Sequence, residues 1–209
     1  MSYVSHLECS ANCGATPLDP HEQHHLCSCG LPLLVRYHLA RVAEIWKKST
    51  LVDRPPTMWR YKEMMPLLGD DEPVTLGEGF TPLFHAKSLG RKLGLQALYI
   101  KDESLNPTNS FKARGLSAAV TRARALKAHT LSVPSAGNAA NAMAAYAAQA
   151  GIPAKVFMPR DVKRPFILEC ELYGADVTLV DGLITDAGRL AAEKGEPLGW
   201  YDVSTLKEP

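Results

Sequence analysis

From residue 97 onward, short apolar runs alternate with stretches of helical periodicity, and this alternation limits the fold more than any other feature of the chain. Ala97–Ile100, Thr130–Val133 (ending at Pro134), Lys155–Met158, Asp176–Val180 and Gly199–Val203 read as strands. Between them, Ser110–Lys127 repeats apolar residues at Phe111, Leu116, Ala119, Val120, Ala123 and Leu126, as a helix with one buried face does. Gly137–Ala150 is a helix of small residues, and Arg164–Tyr173 and Ile184–Lys194 are helices closed by Gly174 and Gly195. Strands joined in this way form βαβ units. The fold class expected is therefore α/β, three layers (αβα) around a mostly parallel sheet. Ligands of such sheets bind at the C-terminal ends of the strands, where helix N-termini also point. Two loops fall there, residues 102–112 and 134–140.

The first 38 residues differ in kind. They hold four of the five cysteines, Cys9, Cys13, Cys27 and Cys29, and end in the strand-like run Leu33–Tyr37. Grouped thiols in a reducing compartment point to metal before disulfides. A zinc ribbon usually repeats Cys-x2-Cys, because two intervening residues let both thiolates converge on one ion. Here the spacings are Cys9-x3-Cys13 and Cys27-x1-Cys29, with Gly14 and Gly30 after each pair and His24 and His25 as further candidate ligands. Both spacings depart from the ribbon. The expectation is a ribbon-like hairpin that has lost its metal, with bound zinc as the alternative. Residues 39–79 form a connector, helical over Leu39–Lys48 and then broken by Pro55, Pro56 and Pro66. Residues 80–209 hold the α/β region.

Lys+Arg 23 against Asp+Glu 22 leaves a formal charge of +1, which gives no electrostatic footprint for nucleic acid or an anionic membrane. No apolar run reaches the ~20 residues of a spanning helix. The first residues lack a basic stretch followed by an apolar one, so a cytoplasmic location is expected.

In the first loop, Asn106-Pro107 marks a turn and Ser110 is a good N-cap, which puts Lys112 in the first turn of a helix. A helix N-terminus disfavours a cation, so the lysine's pKa should fall there, and a neutral amine is what a carbonyl-trapping nucleophile needs. A solvated surface lysine is the plain alternative. In the second loop, Ser135-Ala136-Gly137-Asn138 joins a strand to a helix. Its backbone N–H groups suit a carboxylate or phosphate, and a simple capping turn is the plain alternative.

Three ordered motifs, Gly77-Glu78-Gly79-Phe80-Thr81-Pro82-Leu83, Lys101-Asp102-Glu103 running on to Asn106-Pro107-Thr108 and Ser110-Phe111-Lys112-x-Arg114-Gly115, and Ser135-Ala136-Gly137-Asn138, resemble the threonine synthases. These are fold-type II pyridoxal-phosphate enzymes with the tryptophan-synthase-β fold. The resemblance runs from about residue 74 to the end, and the cysteine-bearing head is similar to the N-terminal extension of some members. It implies that Lys112 bonds the cofactor and shuttles protons, that Asn138 hydrogen-bonds the cofactor's ring oxygen and that Phe111 packs beneath the ring. It also implies that Ser135, Gly137 and the N–H groups around Ala139 hold the substrate carboxylate, while Asp102 and Glu103 orient the loop. The implied reaction turns O-phosphohomoserine and water into threonine and phosphate.

Two loop residues depart from the family pattern: Ala113 stands where many relatives are acidic, and Asn109 where many have glycine. The glycine-rich phosphate cradle and the partner of the pyridine nitrogen have no counterpart here, so the C-terminal part of the large domain is expected to be missing. A complementing C-terminal half or a homodimer is then the expected partner. The alternatives are other enzymes of the fold (threonine dehydratase, cysteate synthase, cysteine synthase), a non-catalytic truncated paralogue acting as a binding module, and a small zinc-headed interaction protein.

Overall fold

The computed structural model describes residues 2–67, 69, 71–205 and 207–209. The head is a hairpin in which β1 (Val4–Cys9) pairs antiparallel with β2 (Leu33–Tyr37), Leu7 facing Val35 and Cys9 facing Leu33. Its core is small: Leu7, Cys9, Cys27 and Leu33 are buried, with Leu18 and Val35 packed against them. Helix α1 (Leu39–Ile45) buries only Val42 and is shorter than its apolar spacing suggests. The rest of the connector is held by a buried carboxylate. Glu63 accepts hydrogen bonds from Arg54 Nη1 and Nη2 (2.7 Å each) and from Trp46 Nε1 (3.0 Å). Burial raises the Glu63 pKa, but the Arg54 guanidinium outweighs it and holds the group at about 2.

Next come β3 (Leu83–His85), α2 (Lys87–Leu93) and β4 (Tyr99–Lys101). The apolar run at 97–100 is thus a strand, but it lies outside the parallel sheet. β4 pairs antiparallel with β3, His85 opposite Tyr99, in a separate two-stranded sheet. All six residues of this hairpin are exposed. A run of four apolar residues does not reveal its strand partner, and the βαβ pattern claimed this one wrongly.

The main body follows the expected alternation. In order it is α3 (Lys112–Ala125), β5 (Leu131–Pro134), α4 (Asn138–Ala150), β6 (Ala154–Pro159), α5 (Arg164–Leu172), β7 (Asp176–Val180), α6 (Ile184–Gly195) and β8 (Tyr201–Asp202). The four strands are parallel in the order β7-β6-β5-β8. β6 shows why both faces are covered: Val156 and Met158 enter the core beneath α3, α4 and α5, while Phe157 points to the opposite core beside Ala187 and Ala191 of α6. Each such side chain, removed from water, contributes about 1.5–3 kcal/mol. The alanines of α4 let it lie close to both the sheet and α3, and Ala140, Ala142, Met143, Tyr146 and Ala147 are all at 0% exposure.

Two helix ends differ from the sequence reading. Ser110 does not cap α3 with its side chain, and its hydroxyl is buried without a partner. Gly195 does not stop α6. It is buried with an ordinary φ of −83°, and the chain makes one more tight turn to Gly199, which takes the left-handed conformation (φ +64°). Gly195 is small for packing reasons, since a Cβ there would sit 3.1 Å from the Trp200 ring. Among the described residues, no helix is long and apolar enough to cross a membrane.

Candidate active site

The strand order puts a crevice where ligands of open α/β sheets bind. The connections β5 to β6 and β6 to β7 run through α4 and α5 on one face, whereas α6 crosses back on the other face to bring β8 beside β5. Loops leaving β5 and β8 therefore diverge at a topological switch point. A cleft of about 700 Å³ opens there, lined by residues 133–136, 138 and 139 after β5, 203–205 after β8, and Phe111, Lys112 and Arg114 at the start of α3. Both loops singled out from the sequence meet in it.

Of the six predicted site residues, Phe111, Lys112, Ser135, Asn138 and Ala139 line this cleft. Lys112 opens α3, and its Nζ lies 5.0 Å from the centre of the Phe111 ring, which is 58% exposed. Gly137 is not a lining residue. It forms the turn itself, and its carbonyl accepts from the N–H groups of Ala140 (2.9 Å) and Asn141 (3.4 Å). The Ser135 hydroxyl accepts from the N–H groups of Gly137 (3.4 Å) and Ala140 (3.2 Å), so it braces the first turn of α4 from two residues before its N-cap, Gly137. Asn138, the first residue of α4, stays exposed at the cleft wall.

The loop carrying Lys112 is built to hold one shape. Glu103 accepts from Arg114 Nε (2.6 Å) and Nη2 (2.8 Å), from Asn106 Nδ2 (3.0 Å) and from the Thr81 hydroxyl. The Arg114 pair, helped by Thr81, holds the Glu103 carboxyl at about 2. Asp102 orients the loop as well, accepting from Ser104 N (3.0 Å) and Ser104 Oγ (2.6 Å). Just before Ser110, Thr108 and Asn109 both have positive φ, +57° and +53°. Glycine takes that conformation freely and asparagine tolerates it, so Asn109 suits its place in the turn.

A second carboxylate, whose role the sequence reading missed, ties this loop to both helices. Glu78 is at 0% exposure and accepts five hydrogen bonds: Trp59 Nε1 (2.7 Å), Ser117 Oγ (2.6 Å) and Thr75 Oγ1 (2.9 Å) on Oε1, and Leu76 N (3.0 Å) and Tyr146 OH (2.5 Å) on Oε2. Burial raises its pKa, yet the Ser117 and Tyr146 hydroxyls outweigh that and keep it below the usual carboxylate range. Burial and the same carboxylate push the Tyr146 phenol upward. The one sequence signal was a charged residue between Gly77 and Gly79. At Gly79 φ is +106°, and a Cβ would come within 2.5 Å of the Met58 backbone nitrogen.

A three-layer αβα body with a lysine at one helix N-terminus, facing a strand-to-helix turn across a switch-point cleft, defines the class of fold-type II pyridoxal-phosphate enzymes. Residues 74–209 match the pyridoxal-phosphate dependent enzyme family, and the chain belongs to it. It is 35% identical over 193 residues to the threonine synthase of Methanocaldococcus jannaschii, covering 90% of this chain and 47% of that one. It is 37% identical over 184 residues to the threonine synthase of Methanosarcina acetivorans, covering 87% and 44%. Among solved structures it is similar to maize serine racemase, with a TM-score of 0.55 and 25% identity over 59% of this chain and 37% of that one. The chain spans about half the length of the curated relatives it matches.

Proposed function

We propose that this chain is the lysine-bearing part of a threonine synthase, acting on O-phosphohomoserine and water to give threonine and phosphate. The observation that carries the reading is the meeting of Lys112 and the Ser135–Ala139 turn in one cleft at the sheet's switch point. The cleft fits the cofactor in two respects: an amine on one wall and a helix N-terminus on the other. When bound, pyridoxal phosphate supplies an electron sink that renders the substrate's α and β carbons acidic.

The chain's own residues do the rest. Lys112 Nζ would hold the cofactor and would take and return protons at the substrate's carbons. Phe111 offers a flat apolar surface beside that amine. Asn138, exposed at the start of α4, would hydrogen-bond the cofactor's ring oxygen. The N–H groups at the start of α4, around Ala139 and Gly137, hold the substrate carboxylate with the favourable end of the helix dipole, and Ser135 keeps that turn in shape. The Glu103–Arg114 pair fixes the loop so that Lys112 faces the cleft.

Substrate choice within the fold rests on the resemblance to the threonine synthases. By the same resemblance, the phosphate cradle is expected outside residues 1–209. Residues 1–209 alone should therefore bind cofactor weakly and turn over nothing. The test is to mix the chain with pyridoxal phosphate, reduce with borohydride and map the modified lysines by mass spectrometry. Label confined to Lys112, and lost in Lys112→Ala, is the expected result. Label scattered over the other lysines would mean that residues 1–209 do not make a cofactor site alone, and label on other lysines but not Lys112 in a form completed to the length of its relatives would overturn the assignment of the cleft. Threonine and phosphate from O-phosphohomoserine, in a form completed to the length of its relatives, would test the substrate.

A further inference from the structure

The four head cysteines converge. Their sulfur atoms all lie within 4.8 Å of one another, with Cys9 Sγ to Cys29 Sγ at 3.5 Å and Cys13 Sγ to Cys27 Sγ at 3.6 Å. Four thiolates about 2.3 Å from a tetrahedral ion lie about 3.8 Å apart, so these separations are those of a ligand shell. Two disulfides would need only pairwise approach. They would give no reason for four sulfurs drawn from the two ends of the long loop between β1 and β2 to share one point.

The backbone repeats itself around the cluster. Each pair opens on a tight turn, closed by Asn12 N to Cys9 O (3.2 Å) in one and Gly30 N to Cys27 O (2.8 Å) in the other. Gly14 and Gly30, which follow the second cysteine of each pair, have the same φ of +83°. The unequal spacings that argued for a lost metal are thus absorbed locally. Asn12, at φ +48°, takes up the extra residue of the first pair. The histidines suggested as further ligands are not in the cluster. His25 stacks edge-on to Tyr201 at 5.3 Å, and His24 Nε2 lies 3.6 Å from a Glu22 carboxylate oxygen.

We propose that Cys9, Cys13, Cys27 and Cys29 bind one zinc ion in a closed tetrathiolate site. Binding releases the thiol protons to solvent and leaves four Zn–S bonds with no open position, so the ion is structural. The head needs such a staple, because its core holds four buried residues. The site also has reach. The loop between the two pairs carries Glu22, whose carbonyl accepts from Arg122 Nη2 of α3 (3.4 Å), and His25, which packs on Tyr201 of β8. Fixing both ends of that loop fixes the head against the strand that borders the cleft. The inference does not depend on the proposed reaction.

The test uses the full chain, purified under reducing conditions without chelator. Elemental analysis should find one zinc per chain. Cobalt(II) exchanged into the site should show intense tetrahedral d–d bands together with thiolate-to-cobalt charge transfer. Cys13→Ser changes an exposed ligand and should weaken zinc retention against a chromogenic chelator at least tenfold, whereas Cys170→Ser, a buried cysteine of the main body, should leave it unchanged. If Cys13→Ser fails to fold, stepwise mercurial titration of the unmodified chain should release zinc in step with four thiols. No zinc uptake by the reduced chain, a cobalt spectrum without thiolate charge transfer, or equal zinc retention in Cys13→Ser would overturn the proposal.

Discussion

Replacing Glu78 with glutamine keeps the side chain's shape and removes one acceptor, and the structure says what that does. On Oε1 the carboxylate faces Trp59 Nε1–H, and on Oε2 it faces the Leu76 N–H. Neither of these donors can accept. With the new NH2 at the Oε2 place it would face the Leu76 N–H, so it goes to the Oε1 place, where Trp59 Nε1–H keeps the Ser117 hydroxyl as acceptor (2.9 Å) and Ser117 turns to donate to the Val74 carbonyl (2.7 Å). No donor is then orphaned, and what is lost is charge assistance: a hydrogen bond to a charged group contributes about 1.5–3 kcal/mol against about 0.5–1.5 for a neutral one. Glu78→Gln should therefore lower stability by roughly 2–3 kcal/mol. Tyr146→Phe removes a single donor and leaves four, so it should cost about 2 kcal/mol. Urea unfolding at pH 7, followed by fluorescence with the m-value checked for constancy, measures both. In a chain of this size a loss of 3 kcal/mol corresponds to a Tm lower by about 6–12 °C. If Glu78→Gln is silent, or milder than Tyr146→Phe, the carboxyl is protonated in the fold and the argument fails.

Acid should loosen the cleft loop in a defined window. Glu103 is held at about 2 against an ordinary 4.5, so the stabilisation it gives is complete above 4.5 and is lost as pH falls toward 2. Tm measured from pH 6 to pH 2.5 should fall less steeply for Glu103→Gln than for the parent chain, and parallel curves would sink the claim. Gly79→Ala should destabilise by roughly 2–4 kcal/mol, because the backbone of Met58 cannot move aside, whereas Gly77→Ala, with open space around it, should cost only about 1–2 kcal/mol. Equal losses in thermal melts would mean that φ, and not contact, governs both sites. On the β3–β4 hairpin, Phe84 and Ile100 are 52% and 46% exposed, so the double change to lysine should reduce binding of a hydrophobic dye and leave Tm within a degree or two. A large drop in Tm would show that these side chains support the fold.

The parallel sheet was legible because its strands are short buried runs between helices, and Gly174 and the alanines of α4 carry unambiguous local chemistry. Lys112 and the Ser135–Ala139 turn were legible because both motifs end at helix N-termini, which the alternation places on one edge of the sheet. What escaped was set by distant partners. β1 and β3 have no strong pattern: only Leu7 and Cys9 of β1 are buried, and β3 is exposed throughout. The Glu78 cluster gathers donors from 19, 39 and 68 residues away, a relation that no local window contains. Gly195 read as a stop because a glycine after a helical run usually is one, and the Trp200 ring that requires it lies on the next element.

The strand order also sets a timetable for synthesis. β5 receives its neighbour β6 soon after it is made, but its other neighbour, β8, arrives seventy residues later, as the pairing of Leu131 with Tyr201 shows. At ribosomal speeds of about 5–20 residues per second, that flank of β5 stands open for roughly 4–14 s on every nascent chain. For that interval the growing polypeptide displays an unpaired parallel edge of buried-type residues, Leu131, Ser132 and Val133. Its yield in a cell then depends on slow neighbours and ready chaperones as much as on its final stability.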